Sequence, residues 1–594
     1  MNADLLGSDN ALRLLRKCLD GTKDAVPRTI RFIIPSVYGQ ISRTDIFNIR
    51  MADCQWLEAC ASFSKPLQIY KGTSSKLRVD IHLSEIFKLA VAGLLFRPVN
   101  DSERSREILI ALHADLVNRL SFPWLIDTPV PRKTIAIVEG CHVHPKDGGY
   151  APMIYEGAKA LGIDVVVLDN EGHWLQGPEF ADWRVEFIPF DLPDEPDEQL
   201  GRRIAEKIRS CERKIDGILT PSEYYKYQIA DACQHLGLPT MPPEAYAIVI
   251  DKHKTSMFVG IDSHLVTSAE EAVALADAKS LEFPLIVKPC LGWSSNGVTR
   301  VDSAADIPQA FAAIDVNVHG TNVLLEPYCD GPEVDYNVVL WNGEILFDEL
   351  CDDLPKSAEL LGSNNGTFKE TDSPFPSILP APEIELIRND FCDVLRRMGF
   401  TTGLFHIEGR VHHSTVEFVL RDGVQHMQKR IYTGSAAQTH PRGPKPWLHE
   451  INPRPPGMTA SKIISTTYGV EYWGLVLLLA IHDEARTRAL TQPYLNGPQY
   501  HCVMVFITNE FDNTKYEGVF NSDDICEELC ARRPDIAEKV SDMACFVKRG
   551  DRVPHCSTGE NIFLAHINVY SRDGREEAMK LANEVRRELR IEWK

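Results

Sequence analysis

The sequence has little positive charge, no long hydrophobic run and no paired-cysteine motif. Its 594 residues include 63 Lys and Arg against 84 Asp and Glu, which gives a formal net charge of −21. A chain this acidic repels polyanions, so broad binding to nucleic acid or to an anionic membrane is excluded. The longest apolar run, residues 472–481, is shorter than the roughly 20 residues that span a bilayer, and it predicts a buried helix.

The fifteen Cys are scattered along the chain, and no CxxC pair occurs. Cys526 and Cys530 have a spacing compatible with zinc, but no second pair of ligands follows at a matching interval. The ordinary interpretation is therefore free thiols in a reducing compartment. The first residues lack the basic-then-apolar order of a signal peptide. We expect a cytoplasmic protein.

The chain has the composition of an ordinary globular protein, with 44% apolar and 25% charged residues. Its length predicts several domains. We divide it into four segments: an N-terminal α/β segment of unknown role (1–130), a small open parallel-sheet α/β domain (131–245), a core that carries nearly all the chemistry (246–495), and an α+β tail (496–594). The predicted fold class is a multidomain mixture of α/β and α+β.

The parallel-sheet domain is predicted from two continuous apolar runs, residues 134–138 and 163–168, on either side of a Gly-rich turn and a helix over 152–161. Such runs are typical of strands buried on both faces. Three prolines in residues 122–133 predict a linker. The same patterns predict further strands at 31–34, 217–220, 502–507 and 562–570, and helices at 84–95, 202–211, 223–236 and 575–589.

A Gly/Ser loop is the first motif that carries chemistry. No GxxxxGK[ST] occurs, so a P-loop is excluded. Instead, a strand ending in Lys288 precedes a loop of small residues, in which several backbone N–H groups could converge on one anion while the lysine supplies a point charge. An ordinary turn is the alternative. The loop residues in question are Gly292, Ser294, Ser295 and Gly297.

A second motif lies in residues 323–334. An apolar strand ends at Glu326, passes through a short connection that contains Tyr328 and Cys329, and leads to a second acid at Glu333. Such a hinge could meet a purine edge with Glu326 and backbone groups, while Glu333 reaches ribose hydroxyls. The alternative is a strand-to-turn transition with solvated acids.

Two further strands carry oxygen ligands. Glu408 lies in the first, and Glu450 and Asn452 lie in the second. Alternation predicts that Leu448, Glu450 and Asn452 share one face of the second strand. Carboxylate and amide oxygens suit Mg²⁺ that also binds substrate phosphates. Arg454 follows directly and could clamp a phosphoryl group or a carboxylate.

The segment between these two strands leaves two questions open. Glu417, on a strand predicted within it, is a rival to Glu408 as the first metal ligand. Residues 421–446 are basic within an acidic chain, so they could bind a second substrate carboxylate or help to close the site; a solvated surface loop is the alternative. The basic residues are Arg421, Lys429, Arg430, Arg442 and Lys445.

Together and in this order, the motifs resemble the ATP-grasp superfamily, from about residue 133 onward with a motif core at 250–460. The resemblance implies two nucleotide lysines, Lys252 and Lys288, and a mobile glycine-rich loop, Gly292 to Gly297. It implies ATP and Mg²⁺ as cofactors, with two ions and Mn²⁺ as a substitute. The remaining implied roles are adenine and ribose contacts at Glu326, Tyr328 or Cys329, and Glu333, metal ligation by Glu408, Glu450 and Asn452, and Arg454 at the reacting phosphate, with Arg454 and Lys288 as the catalytic groups.

Within the superfamily, the HxE…ExNxRPxG pattern is similar to L-amino-acid ligases and carnosine-synthase-like enzymes. This implies a ligase that joins a carboxylate, of an amino acid or a small organic acid, to an amine through an acyl phosphate, with release of ADP and phosphate. Small-molecule substrates are the expected partners, with a homodimer as an option. Two alternatives stay open: a biotin-dependent type of carboxylase, although no MKM tripeptide is present, and a non-catalytic nucleotide-binding regulatory or scaffold protein.

Overall fold

The computed structural model describes residues 8–20, 28–73, 81–98, 102–361, 367–431, 443–558 and 560–594. In these ranges the strands form seven sheets. The strands are β1 (Ile30–Ile33), β2 (Gly39–Ile41), β3 (Leu57–Ser62), β4 (Ile69–Tyr70), β5 (Ala92–Phe96), β6 (Leu125–Ile126), β7 (Thr134–Val138), β8 (Asp164–Asp169), β9 (Glu186–Pro189), β10 (Gly217–Leu219), β11 (His264–Val266), β12 (Leu285–Pro289), β13 (Thr299–Val301), β14 (Val323–Pro327), β15 (Glu333–Trp341), β16 (Glu344–Asp353), β17 (Asp372–Phe375), β18 (Gly403–His412), β19 (Val416–Arg421), β20 (Val424–Lys429), β21 (Lys445–Asn452), β22 (His501–Thr508), β23 (Val540–Cys545) and β24 (Phe563–Ser571).

The α-helices cover the sheets and form most connections between strands. They are α1 (Asp9–Asp20), α2 (Ile46–Met51), α3 (Leu83–Leu89), α4 (Ser102–Leu120), α5 (Ala151–Leu161), α6 (Leu200–Arg209), α7 (Lys226–Leu236), α8 (Pro243–Val249), α9 (Lys252–Val259), α10 (Ala269–Lys279), α11 (Ile307–Ala312), α12 (Val316–His319), α13 (Ser357–Leu361), α14 (Ala381–Met398), α15 (Met458–Tyr468), α16 (Tyr472–Ala480), α17 (Glu484–Leu490), α18 (Ile525–Arg532), α19 (Pro534–Ala537) and α20 (Arg575–Glu588).

The N-terminal segment contains two small antiparallel sheets, with strand orders β1-β5-β3 and β4-β2-β6. The helix predicted over 84–95 is wrong in its second half, because α3 ends at Leu89 and Ala92–Phe96 forms β5. All five residues of β5 are buried at the centre of their sheet. Gly93 lies under the side chains of Leu14 and Phe63, so packing by distant residues selects a strand. The predicted linker is also ordered, since its β6 pairs with β2.

The second segment forms the predicted parallel sheet, with the order β10-β7-β8-β9. Helix α5 connects β7 to β8, and α6 connects β9 to β10. The chain begins this sheet at β7 and later returns to its other side as β10. The crevice between the carboxyl ends of these two strands is therefore the topological switch point, where open α/β sheets bind ligands.

Two antiparallel sheets form the centre of the molecule. The smaller has the order β11-β14-β12-β13, and the larger has the order β16-β15-β18-β21. Helix α14 covers one face of the larger sheet with an apolar row that includes Ile387, Phe391 and Leu395, all fully buried. The opposite face of the larger sheet is divided: one end, with Val339, Trp341 and Leu404, packs in a second apolar cluster, and the other end carries polar residues such as Asp335 and Glu349.

The C-terminal segment contains the predicted strands and helix as β22, β24 and α20. Its sheet has the order β17-β22-β24-β23, so it takes in β17 from the preceding segment. Among the described residues, no single helix has the length and hydropathy to cross a bilayer. Only α15 and α16 taken together reach that length, and the pair is bent by 102°.

Buried arginines connect the N-terminal segment to the rest of the protein. Arg119 donates to Asp53 at 2.9 Å, to Asp115 at 2.8 Å and to the hydroxyl of Tyr500 at 2.7 Å. Its side chain is 1% exposed. Arg43 pairs with Asp45 and with Glu471, the residue that caps the N-terminus of α16. The N-terminal segment is therefore held by ionic contacts as well as by apolar packing.

We expect Arg119→Met to destabilise the folded protein by about 3 kcal/mol, because it leaves two partly buried carboxylates without their cation. Urea denaturation followed by circular dichroism measures the change. Arg202→Met is the matched control: its pair with Glu206 is more than half exposed on both sides, and it should change stability by about 0.5 kcal/mol or less. Equal effects of the two substitutions would contradict the proposed anchoring.

Candidate active site

A cleft lies between the two central sheets. Its floor and walls come from β12, β14, β18 and β21, together with the start of α9. Most of the residues singled out from the sequence line it: Lys252, Lys288, Gly292, Ser294, Ser295, Glu326, Tyr328, Cys329, Glu333, Glu408 and Glu450. The strand ends that carry chemistry in the sequence thus meet at one place. The individual roles assigned to these residues stay predictions.

The Gly/Ser loop connects β12 to β13 and covers one side of the cleft. Ser294 and Ser295 have φ angles of 56° and 53°, in the left-handed region that non-glycine residues adopt at a cost. In the described part of the chain, the backbone N–H groups of Ser294, Ser295 and Gly297 have no acceptor. Lys252 Nζ donates to the carbonyl of Gly292 at 2.9 Å. The loop therefore presents free donors beside an ammonium group, which suits a phosphate.

Lys288 and Glu326 form a buried ion pair across neighbouring strands, with 2.5 Å between Nζ and Oε1. Both side chains are more than nine-tenths buried. Ser256 donates to the other carboxylate oxygen at 3.2 Å. Lys288 and Glu326 therefore compensate each other at the cleft, and Glu326 is less free for a purine than the sequence motif suggests.

Arg410 is a site residue that the sequence did not reveal. It lies near the end of β18, where its guanidinium pairs with Glu333 at 2.5 Å and with Glu359 at 2.6 Å and donates to the carbonyl of Cys329 at 3.0 Å. Burial raises the pKa of Glu333, but Lys356 and Arg410 outweigh it and lower that pKa to about 2. Arg410 thereby holds the hinge 327–333 in place. Its position two residues after Glu408 was the available signal.

The polar face of the larger sheet is built by direct pairing of strands. In β15 and β18, Asp335 lies opposite Glu408, and Glu408 in turn lies opposite Glu450 in β21. Neighbouring side chains at such positions are close enough to interact. Repulsion from these neighbours adds to burial, and together they raise the pKa of Asp335 and of Glu408 well above the usual range.

Glu408, Glu450 and Asn452 lie close together, and their side-chain oxygen atoms are candidate metal ligands. The amide of Asn452 lies 3.1 Å from Glu450 and 3.4 Å from Glu408, and Lys252 Nζ lies 2.7 Å from Glu450. Within the described ranges no group of three or more His, Cys, Asp and Glu could hold a metal by itself. Two carboxylates and an amide fit Mg²⁺, which commonly takes one or two carboxylates and completes its shell with phosphate oxygens and water.

The prediction that Leu448 shares a face with Glu450 and Asn452 is wrong. The pairing of β18 with β21 shifts register between Glu408 and Gly409, so His449 is an extra residue in its strand. Leu448 and Ile451 therefore both pack in the apolar core under the sheet. His449 and Glu450 both line the cleft.

Glu417 lies apart from the metal candidates. It belongs to the separate hairpin β19–β20, where it accepts from Gln428 at 3.1 Å and pairs with Arg430. The geometry therefore favours Glu408 as the first ligand. The basic segment 421–446 is not a loop throughout, because its first part completes this hairpin and its last part begins β21. Arg442 lies outside the described residues.

Arg454 points out of the cleft towards the parallel sheet. Its Nε donates to Glu223, in the turn that follows β10 at the switch point. The phenol of Tyr150 is near both groups: burial raises its pKa, as do Cys141 and Glu139, while Arg454 acts in the opposite sense. The crevice at the switch point and the metal candidates thus adjoin one another through Arg454.

Family comparisons match two parts of the chain. The ATP-grasp N-terminal domain matches residues 155–240, and the D-ala D-ala ligase C-terminus matches residues 254–351. The chain is 45% identical to the ATP-grasp enzyme fsqD of Aspergillus fumigatus over 587 residues, 98% of this chain and 100% of that protein. It is 24% identical to carnosine synthase 1 of Homo sapiens over 402 residues, 63% of this chain and 43% of that protein.

Solved structures share the fold at lower identity. The L-amino acid ligase from Bacillus licheniformis has a TM-score of 0.56 at 21% identity, covering 78% of this chain and 100% of that one. An ADP complex of N5-carboxyaminoimidazole ribonucleotide synthetase has a TM-score of 0.50 at 14% identity, with coverages of 77% and 97%.

These matches define an ATP-dependent carboxylate–amine ligase. The chain belongs to the ATP-grasp family, since its similarity to the Aspergillus fumigatus enzyme extends over nearly its whole length. The resemblance and the fold class inferred from the sequence are confirmed. Binding of ATP follows from this membership, and Mg²⁺ binding is typical of the family.

We expect Lys288→Met to weaken ATP binding by about 1.5–3 kcal/mol, the value of a charged hydrogen bond. Isothermal titration calorimetry with ATP measures the change. Lys288→Met/Glu326→Gln, which removes the buried carboxylate as well, should lose the same binding energy. The exposed Lys254, on the same helix as Lys252, gives the control Lys254→Met, which should bind as the unmodified protein does. Unchanged affinity in Lys288→Met would contradict the role.

Glu349, on β16 at the edge of the polar face, should make stability depend on pH. Burial raises its pKa to about 8, although a hydrogen bond from Asn337 lowers it. The raised value means that stability is fully present below the unfolded pKa of about 4.5 and is lost as pH rises through about 8, because the buried group must ionise. Glu349→Gln should remove this loss and stabilise the protein at pH 9 by about 2 kcal/mol or more.

Thermal melting between pH 5 and pH 9 measures this dependence. Glu344→Gln is the control, because Glu344 lies on the same strand but is exposed and paired with Arg488. If the melting temperature of Glu349→Gln falls with pH as steeply as that of Glu344→Gln, the pKa assignment is wrong.

Proposed function

We propose that this ATP-grasp enzyme forms an amide bond between the carboxylate of an amino acid or a small organic acid and the amine of a second small molecule. The carboxylate is first phosphorylated by ATP, and the amine then displaces phosphate from the acyl phosphate. ADP and phosphate are the other products.

The position of Arg454 is the observation that carries this proposal. It lies two residues after Asn452, to whose carbonyl its backbone N–H donates at 2.8 Å, yet its side chain pairs with Glu223 at the switch point of the parallel sheet. A carboxylate bound beside Arg454 would thus lie between the crevice and the phosphate-binding end of the cleft. Transfer of a phosphoryl group requires this arrangement, in which the acceptor oxygen and the γ-phosphate approach in line.

The charges around the crevice favour an amino acid as the acid substrate. Arg454 offers a planar, always-charged group for a carboxylate. Glu139 and Glu223 offer carboxylates for an ammonium group, and Oε2 of Glu139 is buried without a hydrogen-bond partner. Glu139 and Cys141 both have positive φ angles, at 61° and 78°, which cost energy in non-glycine residues. Strained backbone and one unpartnered carboxylate oxygen in the same loop support a binding role, although the other oxygen, Oε1, accepts from the backbone N–H of His142 at 2.9 Å.

The side chains supply charge and position rather than covalent chemistry. Lys252 and Lys288 can bind the phosphates, and Arg454 can stabilise the negative charge that develops on the transferred group. A bound pair of Mg²⁺ ions, with Mn²⁺ as a substitute, would neutralise the phosphates beside Glu408, Glu450 and Asn452. The Gly/Ser loop would exclude water, which otherwise hydrolyses an acyl phosphate. No cysteine is needed as a nucleophile.

Amine-dependent release of ADP tests the proposal. The full-length protein is supplied with MgATP and a panel of amino acids, small organic acids and amines, and ADP is measured with a coupled assay. We expect turnover only when an acid and an amine are both present. Glu450→Gln and Asn452→Ala should abolish it while far-UV circular dichroism is unchanged.

The alternatives give other outcomes. Tight ATP binding without turnover on any pair would favour a regulatory or scaffold protein. ADP release that requires bicarbonate and biotin would indicate a carboxylase. Wild-type rates in both Glu450→Gln and Asn452→Ala would contradict the assignment of the metal ligands.

A further inference from the structure

The Gly/Ser loop between β12 and β13 is contacted by a distant part of the chain. The side-chain amide of Asn561 donates to the carbonyl of Ser295 at 3.0 Å, and the backbone N–H of Asn561 donates to Oδ1 of Asn296 at 2.8 Å. These partners are 265 and 266 residues apart in sequence. Asn561 is 7% exposed. The C-terminal sheet thus contacts the loop that covers the nucleotide cleft.

The segment that carries Asn561 is itself firmly held. Asn509, 1% exposed at the end of β22, donates to the carbonyls of Pro554 at 2.7 Å and Glu560 at 2.8 Å. Its Oδ1 accepts from the N–H of Ile562 at 3.3 Å. One buried amide side chain therefore binds backbone groups on both sides of Asn561.

We propose that Asn561 is a positioning residue that holds the loop 290–298 in its phosphate-binding conformation. This inference rests on the proposed role of that loop in binding the phosphates of ATP. The carbonyl of Ser295 is engaged by Asn561, which fixes the peptide plane that follows Ser295. The loop can then keep two consecutive residues in the left-handed region, and the N–H groups of Ser294, Ser295 and Gly297 stay free for an anion.

The contacts on the other sides of the loop are of a different kind. Trp293 is 48% exposed, and its ring meets those of His319 and Tyr224 edge to face. Lys252 binds the carbonyl of Gly292, at the start of the loop. Among the described residues outside the loop, Asn561 alone makes hydrogen bonds to its middle, and the carbonyl of Ser295 that it binds also accepts from the N–H of Val298 within the loop at 3.3 Å. Removing its amide should therefore disturb the phosphate contacts and leave the adenosine contacts intact.

Binding of two nucleotides by the full-length protein separates positioning from a general structural defect. One is the magnesium complex of AMP-PNP, a non-hydrolysable analogue with three phosphates, and the other is AMP, which lacks the two outer ones. We expect Asn561→Ala to bind AMP-PNP about three- to tenfold more weakly, the loss of one hydrogen bond, and to bind AMP as the unmodified protein does. Asn296→Ala, which removes the other contact from the loop side, should show the same selective loss.

Asn583→Ala is the matched control. Asn583 lies in the same C-terminal segment, but its side chain donates to the backbone carbonyl of Gly423 and not to the loop 290–298. It should change neither affinity, and all variants should keep their melting temperatures. Equal weakening of AMP and AMP-PNP, or no change in either variant, would overturn the role of Asn561. If the unmodified protein binds AMP-PNP no tighter than AMP, the loop does not bind phosphates, and the proposed function fails with the inference.

Discussion

The excess of carboxylates buried on one face of the sheet β16-β15-β18-β21 is the constraint on which the site depends. Burying an uncompensated charge is costly, so each acid must find a cation or bind a proton. Lys252 compensates Glu450, and Arg410 compensates Glu333. Among the described residues, Glu408 has neither a lysine nor an arginine as partner. A face built in this way suits small multivalent cations such as Mg²⁺, which in turn attract polyphosphates. A chain with a net negative charge can thus bind an anionic nucleotide, because cations held by the buried acids would lie between them.

This constraint also explains why the molecule needs several layers. The central sheets arrange charged residues around the cleft. The parallel sheet adds a crevice at its switch point, and Arg454 joins the two places through Glu223. The N-terminal segment does not approach this region through Arg119 or Arg43; it supports α16 and the C-terminal sheet from behind. The candidate site and the N-terminal segment that supports the fold therefore belong to different parts of the chain.

Sequence patterns predicted those parts of the fold and site that depend on residues close together in the chain. The apolar runs of the parallel sheet and the acids at strand ends fall in this class. Arg410 and the β5 strand were missed because their state depends on residues more than fifty positions away, such as Glu333 for Arg410 and Leu14 for β5. The extra residue His449 was missed for a related reason: alternation in a single strand contains no information about the register of its neighbour.

The strand β17 has a consequence for how the chain is made. It belongs to the C-terminal sheet, where Phe375 pairs with Cys502, although the intervening chain builds most of the catalytic face. A ribosome adds about 5–20 residues per second, so β17 emerges roughly 6–25 seconds before the strand beside which it must lie. The nascent enzyme therefore carries an exposed, unpaired strand edge until translation is nearly complete. The C-terminal segment therefore cannot be exchanged freely for another domain. The first of its strands, β22, pairs with β17, which is synthesised long before it.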